Sequence, residues 1–144
     1  YMQKVIGTRF IGHPMNPQFQ KASVIVEDKA HPATAALPTP WQRTDEWYSF
    51  NASPRKTGFH ILATLDEGSY SPVGMFNQDL VMGKDHPIIW TTCIGKGRVF
   101  YSALGHTAES FAEPLYQGVL TGAAQWALRK AGTGCDAAEA TPTR

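Results

Sequence analysis

The sequence predicts a mixed α/β domain, and three observations lead to that prediction. Several short apolar or β-branched runs have the length and composition of buried strands. One segment near the C-terminus has the length and periodicity of a long helix. The early strands are not separated by full crossover helices, which a self-sufficient doubly wound sheet would require. We therefore expect either an α+β domain or the later part of a larger α/β domain.

The composition is ordinary for a single globular domain. The 144 residues are 42% hydrophobic and 17% charged, which is enough for a substantial core. A net charge of +1 with scattered basic residues gives no electrostatic case for nucleic acid, and no apolar stretch could span a bilayer. We expect one domain over residues 1–131, a disordered tail over 132–144, and neither a nucleic-acid nor a membrane partner.

The two cysteines lie in different contexts. Cys93 lies inside an apolar run predicted to be a strand, where it would be a small buried hydrophobic residue. Cys135 lies in the glycine-rich tail, so we do not expect a disulfide framework. The cysteines therefore leave the redox compartment open.

The two strongest predicted strands, 88–94 and 98–104, flank a Gly-Lys-Gly turn at 95–97. Glycines tolerate the positive φ angles that a short hairpin loop needs, so these strands are expected to be antiparallel neighbours. A long functional loop is predicted over 68–83. Further strands are predicted over 22–27, 42–50 and 59–65, one or two helical turns over 31–37, and either a helix end or a short strand over 4–11.

The final helix is expected to have Pro114 in its first turn and to end at Gly132. Gly118 and Gly122 are four residues apart and should lie on one side, where they would let the helix approach its neighbour closely. Its predicted apolar face consists of Leu115, Val119, Leu120, Ala123, Trp126 and Ala127.

His106 is the best single candidate for chemistry, because it follows Gly105 where the last predicted strand gives way to a loop. Ligands tend to bind at this edge of the sheet in α/β proteins. The imidazole could be a general base, a ligand of a sugar hydroxyl or a metal ligand, or it could cap the strand by bonding the backbone. Glu109, three residues later, could orient it as a carboxylate does in hydrolases.

Asp45 and Glu46 are adjacent on a predicted strand, so their side chains should face opposite sides and only one should enter a given site. Either could bind a sugar hydroxyl, or it could face solvent or a turn. Trp47 and Tyr48 follow directly; they could stack on a pyranose ring or belong to the core.

Four further polar residues are candidate substrate ligands. Asp66 and Glu67 end a buried strand at the ligand-prone edge. His86 precedes another strand and His13 lies in a Gly-His-Pro corner; each could bind ligand or only fix the backbone. No histidine pair has a His-x-x-x-His spacing, so no cofactor is predicted, and a divalent metal is the alternative.

Several segments of the chain form a set with a recognisable order and spacing. They are Asp45-Glu-Trp-Tyr48, Leu62-Ala-Thr-Leu-Asp-Glu67, Asp85-His-Pro-Ile-Ile-Trp90 and Gly95-Lys-Gly-Arg-Val-Phe-Tyr-Ser-Ala-Leu-Gly-His-Thr-Ala-Glu-Ser110, with Gly12-His-Pro14 and His31-Pro-Ala-Thr34 upstream. In this order and spacing the chain resembles the trehalose-utilisation (ThuA-like) family over roughly residues 7–131. The resemblance implies a flavodoxin-like three-layer sandwich of the class I glutamine amidotransferase type, and a role in disaccharide catabolism or 3-keto sugar processing.

The resemblance also implies that the family's N-terminal strand–helix units are absent from this chain. A sheet edge would then be exposed, to be completed by a second copy or by a complementing N-terminal segment. Amidotransferases of this fold use a histidine and a glutamate near this region, but ThuA-like proteins do not generally show the nucleophilic cysteine. Cys93 is in the wrong context to replace it, so glutaminase activity is not expected.

The sequence therefore favours a carbohydrate-processing protein that acts on a disaccharide or its keto derivative by acid/base chemistry. His106 would be the acid/base, with Glu109 and one of Asp45 or Glu46 orienting it or binding substrate. The alternative is a non-catalytic sugar-binding or interaction module. The compartment, bacterial cytoplasm or periplasm, is left open.

Overall fold

An antiparallel five-stranded sheet forms the centre of the structure, a computed structural model that describes residues 2–135. Every pair of neighbouring strands in this sheet runs antiparallel. The spatial order is β3 (Trp41–Glu46), β2 (Phe19–Val26), β5 (His60–Asp66), β6 (Pro87–Ile94) and β7 (Gly97–Ser102). A separate antiparallel pair consists of β1 (Phe10–Gly12) and β4 (Ser49–Phe50).

Within residues 2–135, three α-helices accompany the sheet: α1 (Met2–Ile6), α2 (Ala108–Ala112) and α3 (Pro114–Ala127). None of the helices in the described part of the chain is long and apolar enough to cross a membrane. α3 packs against β7, and its buried face includes Val119, Ala123 and Trp126, as predicted. Leu120 and Ala127 are exposed instead, because the helix turns Tyr116 toward the core.

Only one of the two helical glycines allows close packing. A Cβ atom at Gly122 would lie 2.2 Å from the carbonyl oxygen of Pro32, so no side chain fits there. A Cβ atom at Gly118 would meet nothing within 4 Å, and Gly118 is exposed. The prediction of close approach is therefore confirmed for Gly122 and wrong for Gly118.

The strand predictions are largely confirmed in position. The predicted hairpin is β6 and β7, which pair from Ile89 with Ser102 to Ile94 with Gly97. The predicted strand over 42–50 is divided into β3 and β4, and residues 31–37 form turns without an assigned helix. Residues 4–11 contain the end of α1 and the start of β1.

The fold class is confirmed as mixed α/β, but the flavodoxin-like three-layer sandwich is not confirmed. A parallel sheet needs a crossover connection for each pair of strands, usually a helix. Within residues 10–102 the strands are joined by loops and 3₁₀ turns, and they pair antiparallel. β3 and β7 are the edge strands of the five-stranded sheet in the described residues.

The prediction for the cysteines is wrong. Cys93 in β6 and Cys135 form a disulfide, with their Cα atoms 5.4 Å apart. The Arg98 side chain donates hydrogen bonds to the carbonyls of Trp126 and Gly134, which hold the segment after α3 against the hairpin and bring the two cysteines together. Of the predicted tail over 132–144, residues 136–144 lie outside the described residues.

Trp47, which the sequence offered as a possible stacking group, belongs to the core, and so does Trp90. Trp47 is fully buried and its indole N–H donates to the Gln20 carbonyl at 2.8 Å. Trp90 is also buried and stacks on Tyr101 with ring centroids 4.2 Å apart. Neither ring is presented to a ligand.

Candidate functional site

A histidine–aspartate pair lies where β3 ends. The Nδ1 atom of His106 is 2.9 Å from Oδ1 of Asp45, and the His106 backbone N–H also donates to that oxygen at 3.2 Å. Asp45 is completely buried, whereas the His106 side chain is 20% exposed. The second oxygen of Asp45 accepts from the Gly105 N–H at 2.9 Å, so the turn that carries His106 is held on this carboxylate.

The surroundings of Asp45 favour its ionised form. Burial alone would raise the pKa of Asp45, but the hydrogen bond from His106 and those from the Gly105 and Glu46 N–H groups oppose it, together with the charge of Arg43. These contacts hold the pKa of Asp45 below its ordinary value of 3.8. An ionised Asp45 assigns a proton to Nδ1 of His106 and leaves Nε2 as the atom that can exchange protons.

Glu46 lies on the other side of the same imidazole. Its Oε2 is 3.8 Å from Nε2 of His106, while Oε1 is 3.4 Å from Nδ1 of His13 and accepts a hydrogen bond from Gln18. The prediction that only one of Asp45 and Glu46 could enter the site is therefore wrong. Strict alternation fails because β3 ends at Glu46, and His106 comes from a loop that passes between both carboxylates.

Aromatic rings form one wall of the site. Tyr48 lies 4.3 Å from His106, 5.9 Å from His13 and 4.5 Å from Phe10 between ring centroids. Burial, followed by the neighbouring Glu46 carboxylate, raises the pKa of the Tyr48 hydroxyl above 10.0, so it stays protonated at neutral pH. Phe10 is 45% exposed, which leaves an apolar surface beside the polar groups.

A buried arginine supports Asp45 from behind. Arg43 donates through Nη2 to Asp45 Oδ2 at 2.9 Å and to the Ser110 hydroxyl at 3.0 Å, and its Nη1 is 3.3 Å from Glu113. Its guanidinium also lies 4.9 Å from the ring centroid of Tyr116. Arg43 alternates with Asp45 on β3, so both side chains point to the same face of the sheet.

The structure does not bring the remaining candidates into contact with the His106 ring. Glu109 is exposed in the first turn of α2, and the carboxylate bonded to the imidazole is Asp45 instead. Asp66 is exposed and accepts from the Gly68 N–H at 3.0 Å. His86 is fully buried between Oε1 of Glu67, at 2.7 Å, and the Tyr48 carbonyl, at 2.8 Å.

The Glu67–His86 pair therefore holds the backbone beside the site in place and does not itself line the site. Glu67 also accepts hydrogen bonds from the N–H groups of Met82 and Gly83, which ties the 68–83 loop to His86. His86 passes this support to the backbone of Tyr48. Of the two alternatives for His86, the geometry favours fixing the backbone.

Sequence reasoning missed four residues of the site: Arg43, Gln18, Ser110 and Phe10. The alternation of Arg43 with Asp45 on one strand was the one available signal, since two opposite charges two residues apart share a face. Gln18, Ser110 and Phe10 reach the site only through the fold. Within residues 2–135, no group of three or more His, Cys, Asp or Glu side chains is placed to hold a metal ion. The expectation of no cofactor stays a prediction.

The chain is a mixed α/β protein in which acidic, imidazole and aromatic groups gather at one strand end of an antiparallel sheet. The chain belongs to the ThuA family, described as trehalose utilisation, whose model matches residues 1–127. The resemblance seen in the sequence is thereby confirmed. No match was found among curated proteins.

Two solved structures are similar to this chain. A ThuA-like protein from Bacteroides uniformis ATCC 8492 is 29% identical with a TM-score of 0.69, over 89% of this chain and 51% of its own. A ThuA-like protein from Parabacteroides merdae ATCC 43184 is 22% identical with a TM-score of 0.53, over 85% of this chain and 42% of its own; it supports the fold alone. The chain thus spans about half the length of these relatives.

Proposed function

We propose that this chain carries the acid/base group of a carbohydrate-processing protein that acts on a disaccharide or its keto derivative. Family membership supports a role related to trehalose utilisation. The observation that carries the chemical proposal is the placement of the His106 imidazole between two carboxylates, with Asp45 bonded to Nδ1. An imidazole oriented in this way is suited to move a proton at Nε2.

The reaction that fits this arrangement is proton transfer next to a carbonyl group. Nε2 of His106 takes a proton from the carbon adjacent to the ketone, and the electron pair moves onto the carbonyl oxygen as an enolate. For isomerisation, the enolate oxygen takes a proton from solvent, the hydroxyl on the deprotonated carbon loses its proton, and Nε2 returns a proton to the former carbonyl carbon. For elimination, the ketone re-forms instead, the electron pair makes a double bond to the carbon beyond the deprotonated one, and the leaving group on that carbon departs with its bonding electrons. Asp45 and Glu46 stabilise the imidazolium that forms in either case.

The aromatic wall supports a sugar as the substrate. Tyr48 and Phe10 present ring surface beside carboxylate and imidazole groups, and a pyranose has apolar C–H faces together with hydroxyls. His13 and Gln18 add groups able to bond sugar hydroxyls. Glu109 and Asp66 would contact only an extended substrate, because both lie outside this cluster.

The test is deuterium exchange at the carbon adjacent to the ketone of a keto-disaccharide, followed by proton NMR in deuterated buffer. Replacing His106 by Gln should abolish the enzyme-dependent exchange, and Asp45→Asn should slow it by about 100-fold or more, the usual contribution of a positioned acid/base. The matched control is Asp85→Asn, which removes a surface carboxylate bonded to Arg55 at 3.1 Å. Undiminished exchange in a folded His106→Gln protein would sink the proposal.

A second candidate function is a sugar-binding module without turnover, favoured by the exposed Phe10 ring beside Tyr48. Calorimetry separates the two functions. Tight binding of unmodified trehalose, lost in Phe10→Ala but retained in His106→Gln, would favour the module. Exchange or product formation that depends on His106 favours the enzyme.

We extend the proposal to the whole protein. The flavodoxin-like three-layer sandwich and the completion of an edge strand, β3 or β7, would both come from a second copy or from a complementing N-terminal segment. Light scattering on this chain, alone and mixed with such a segment, tests this. A monomer that binds no added segment would contradict it.

A further inference from the structure

A second cavity lies at the other end of the sheet from the His106 site. Asp28 follows the C-terminal end of β2, whereas Glu46 of the site pairs with Phe19 at the start of the same strand. The cavity has a volume of about 290 Å³. Small-molecule sites begin at roughly 300 Å³, so the space suits a single ring. Its lining includes Asp28, His31, His60, Thr91, Trp126 and the disulfide Cys93–Cys135.

His31 places a buried donor in the wall of this cavity. The residue is 7% exposed, and its ring packs against Trp126 and Phe100 with centroids 5.0 and 6.4 Å away. Nδ1 accepts the Ala33 backbone N–H at 3.1 Å, which puts the ring proton on Nε2. Among the described residues this Nε2–H has no acceptor. A buried donor without an acceptor is costly, and a ligand oxygen would relieve that cost.

The rim of the cavity carries a second histidine–aspartate pair. Nε2 of His60 is 2.8 Å from Oδ2 of Asp28, and the His60 side chain is 61% exposed. Oδ1 of Asp28 accepts the N–H groups of Ala30 and His31 at 2.7 and 3.2 Å. Burial would raise the pKa of Asp28, but the bond from His60 and these backbone bonds lower it, so the carboxylate is ionised at neutral pH.

The charges select the kind of ligand. The ionised Asp28 disfavours an anion in the cavity. Both Asp28 oxygens already accept hydrogen bonds, and no group of three or more acidic, His or Cys side chains among residues 2–135 is placed to hold a metal ion. Burial lowers the pKa of His31 to about 4, so that ring adds no positive charge at neutral pH. The groups that remain are neutral donors and acceptors, including the Thr91 hydroxyl, beside the Trp126 ring. Such a lining matches a neutral, hydroxyl-rich ring.

We propose that this cavity binds a neutral monosaccharide, with His31 Nε2–H donating to a ligand oxygen and Asp28 accepting from a hydroxyl at the rim. The site is separate from the proposed His106 chemistry and does not depend on it. A sugar-processing protein would then hold two sugar sites, one at each end of β2.

The Trp126 indole N–H provides a reporter for binding, because it donates to the Thr133 carbonyl at 2.9 Å beside the cavity. In nitrogen-15 NMR spectra of the labelled protein, titration with D-glucose should shift this indole signal and the His31 Nε2 signal. D-gluconate, of similar size but anionic, should cause little shift. No shift of either signal with glucose, or tighter binding of gluconate, would overturn the proposal.

Two variants locate the binding event. Ala30 is exposed at the mouth of the cavity, so Ala30→Trp should block it and weaken glucose binding at least about tenfold. His60→Asn should weaken binding without filling the space, and it provides a second test if Ala30→Trp lowers the melting temperature. His106→Gln is the control and should leave this titration unchanged. Unchanged binding in folded Ala30→Trp, or its loss in His106→Gln, would place the sugar elsewhere.

Discussion

At the scale of single residues, Asp45 organises the candidate site. One buried carboxylate accepts three backbone N–H groups and the His106 ring, and it also pairs with Arg43. Loss of its charge therefore leaves the buried Arg43 guanidinium with only the partly exposed Glu113 as a carboxylate partner, and it weakens the contact that orients His106. Buried ion pairs of this kind are costly to break from one side only.

Asp45→Asn is expected to destabilise the protein by about 3–5 kcal/mol at neutral pH, because Arg43 stays buried and charged. The pKa of Asp45 is lowered in the folded state, so its stabilisation is present above pH 3.8 and is lost as the pH falls through the lower folded value. Urea unfolding of both proteins from pH 7 to pH 3 measures this. Asp85→Asn, in a surface pair with Arg55, should cost no more than about 1 kcal/mol. Equal losses in the two variants would contradict the assignment.

The pKa of His31 is also lowered in the folded state, but for a different reason: burial disfavours the charged form of His31, whereas the contacts of Asp45 favour its charged form. Burial lowers the pKa of His31 from 6.5 to about 4. Between pH 6.5 and about pH 4, His31 is therefore protonated in the unfolded chain but neutral in the folded protein. Stability should thus fall as the pH drops from 6.5 to about 4, by roughly 3 kcal/mol in total. His31→Asn keeps an acceptor for the Ala33 N–H and should flatten this part of the curve. A slope that is identical in His31→Asn would show that another group is responsible.

The residue types of the site could be predicted from the sequence, but their partners could not. His106, Asp45, Glu46, Tyr48 and His13 were all candidates, and the structure gathers them. Spacing along the chain favoured Glu109 as the partner of His106, because it is three residues away. The actual partner is 61 residues away and is brought close only by the sheet.

At the scale of secondary structure, the packing of α3 depends on one position. Gly122 lies directly against the backbone of Pro32, in the turn that also carries His31, whereas Gly118 faces open space. The two glycines thus have the same helical conformation and opposite surroundings. They form a natural matched pair.

Gly122→Ala should destabilise the protein by about 1–3 kcal/mol, since its Cβ would overlap a carbonyl oxygen and force α3 away from the turn. Gly118→Ala should instead stabilise it by about 0.5–1 kcal/mol through helix propensity. Thermal and urea unfolding of the two variants measure the difference. Stabilisation by both substitutions would contradict this prediction, because it would mean that the Pro32 backbone can move aside for a Cβ atom at little energetic cost.

The strands were predictable because their apolar runs are bounded by glycine and proline. The β6–β7 hairpin followed from the Gly-Lys-Gly turn. The pairing of β2 with both β3 and β5 was not predictable, since register depends on partners that are distant in sequence. The exposure of Leu120 and Ala127 was likewise not predictable, because it depends on which face of α3 packs against the sheet.

At the scale of the whole molecule, the disulfide closes the end of the sheet opposite the His106 site. It joins β6 to the segment that follows α3, across a sequence separation of 42 residues. That separation encloses β7, α2 and α3 in one loop. This link could not be predicted from the sequence, because Cys135 lies among glycine and other small residues and reaches β6 only through the packing of α3.

Replacing both Cys93 and Cys135 by Ser should lower the free energy of unfolding by about 4 kcal/mol, the loop-closure value for a cross-link over this separation. Chemical denaturation of the oxidised protein, the reduced protein and the double variant measures it. The reduced protein and the double variant should agree within about 1 kcal/mol. No difference between oxidised and reduced protein would show that the cross-link adds nothing to stability.

The bond between Asp45 and His106 also has a consequence for how the protein folds. It joins positions 61 residues apart, so this pair is a contact of high sequence separation. Contacts of this kind form only after the intervening chain has lost much of its freedom, and proteins rich in them fold slowly. The imidazole reaches its carboxylate only once the end of β3 and the turn after β7 have come together. Recovery of the proposed exchange activity during refolding would therefore report when this end of the sheet forms.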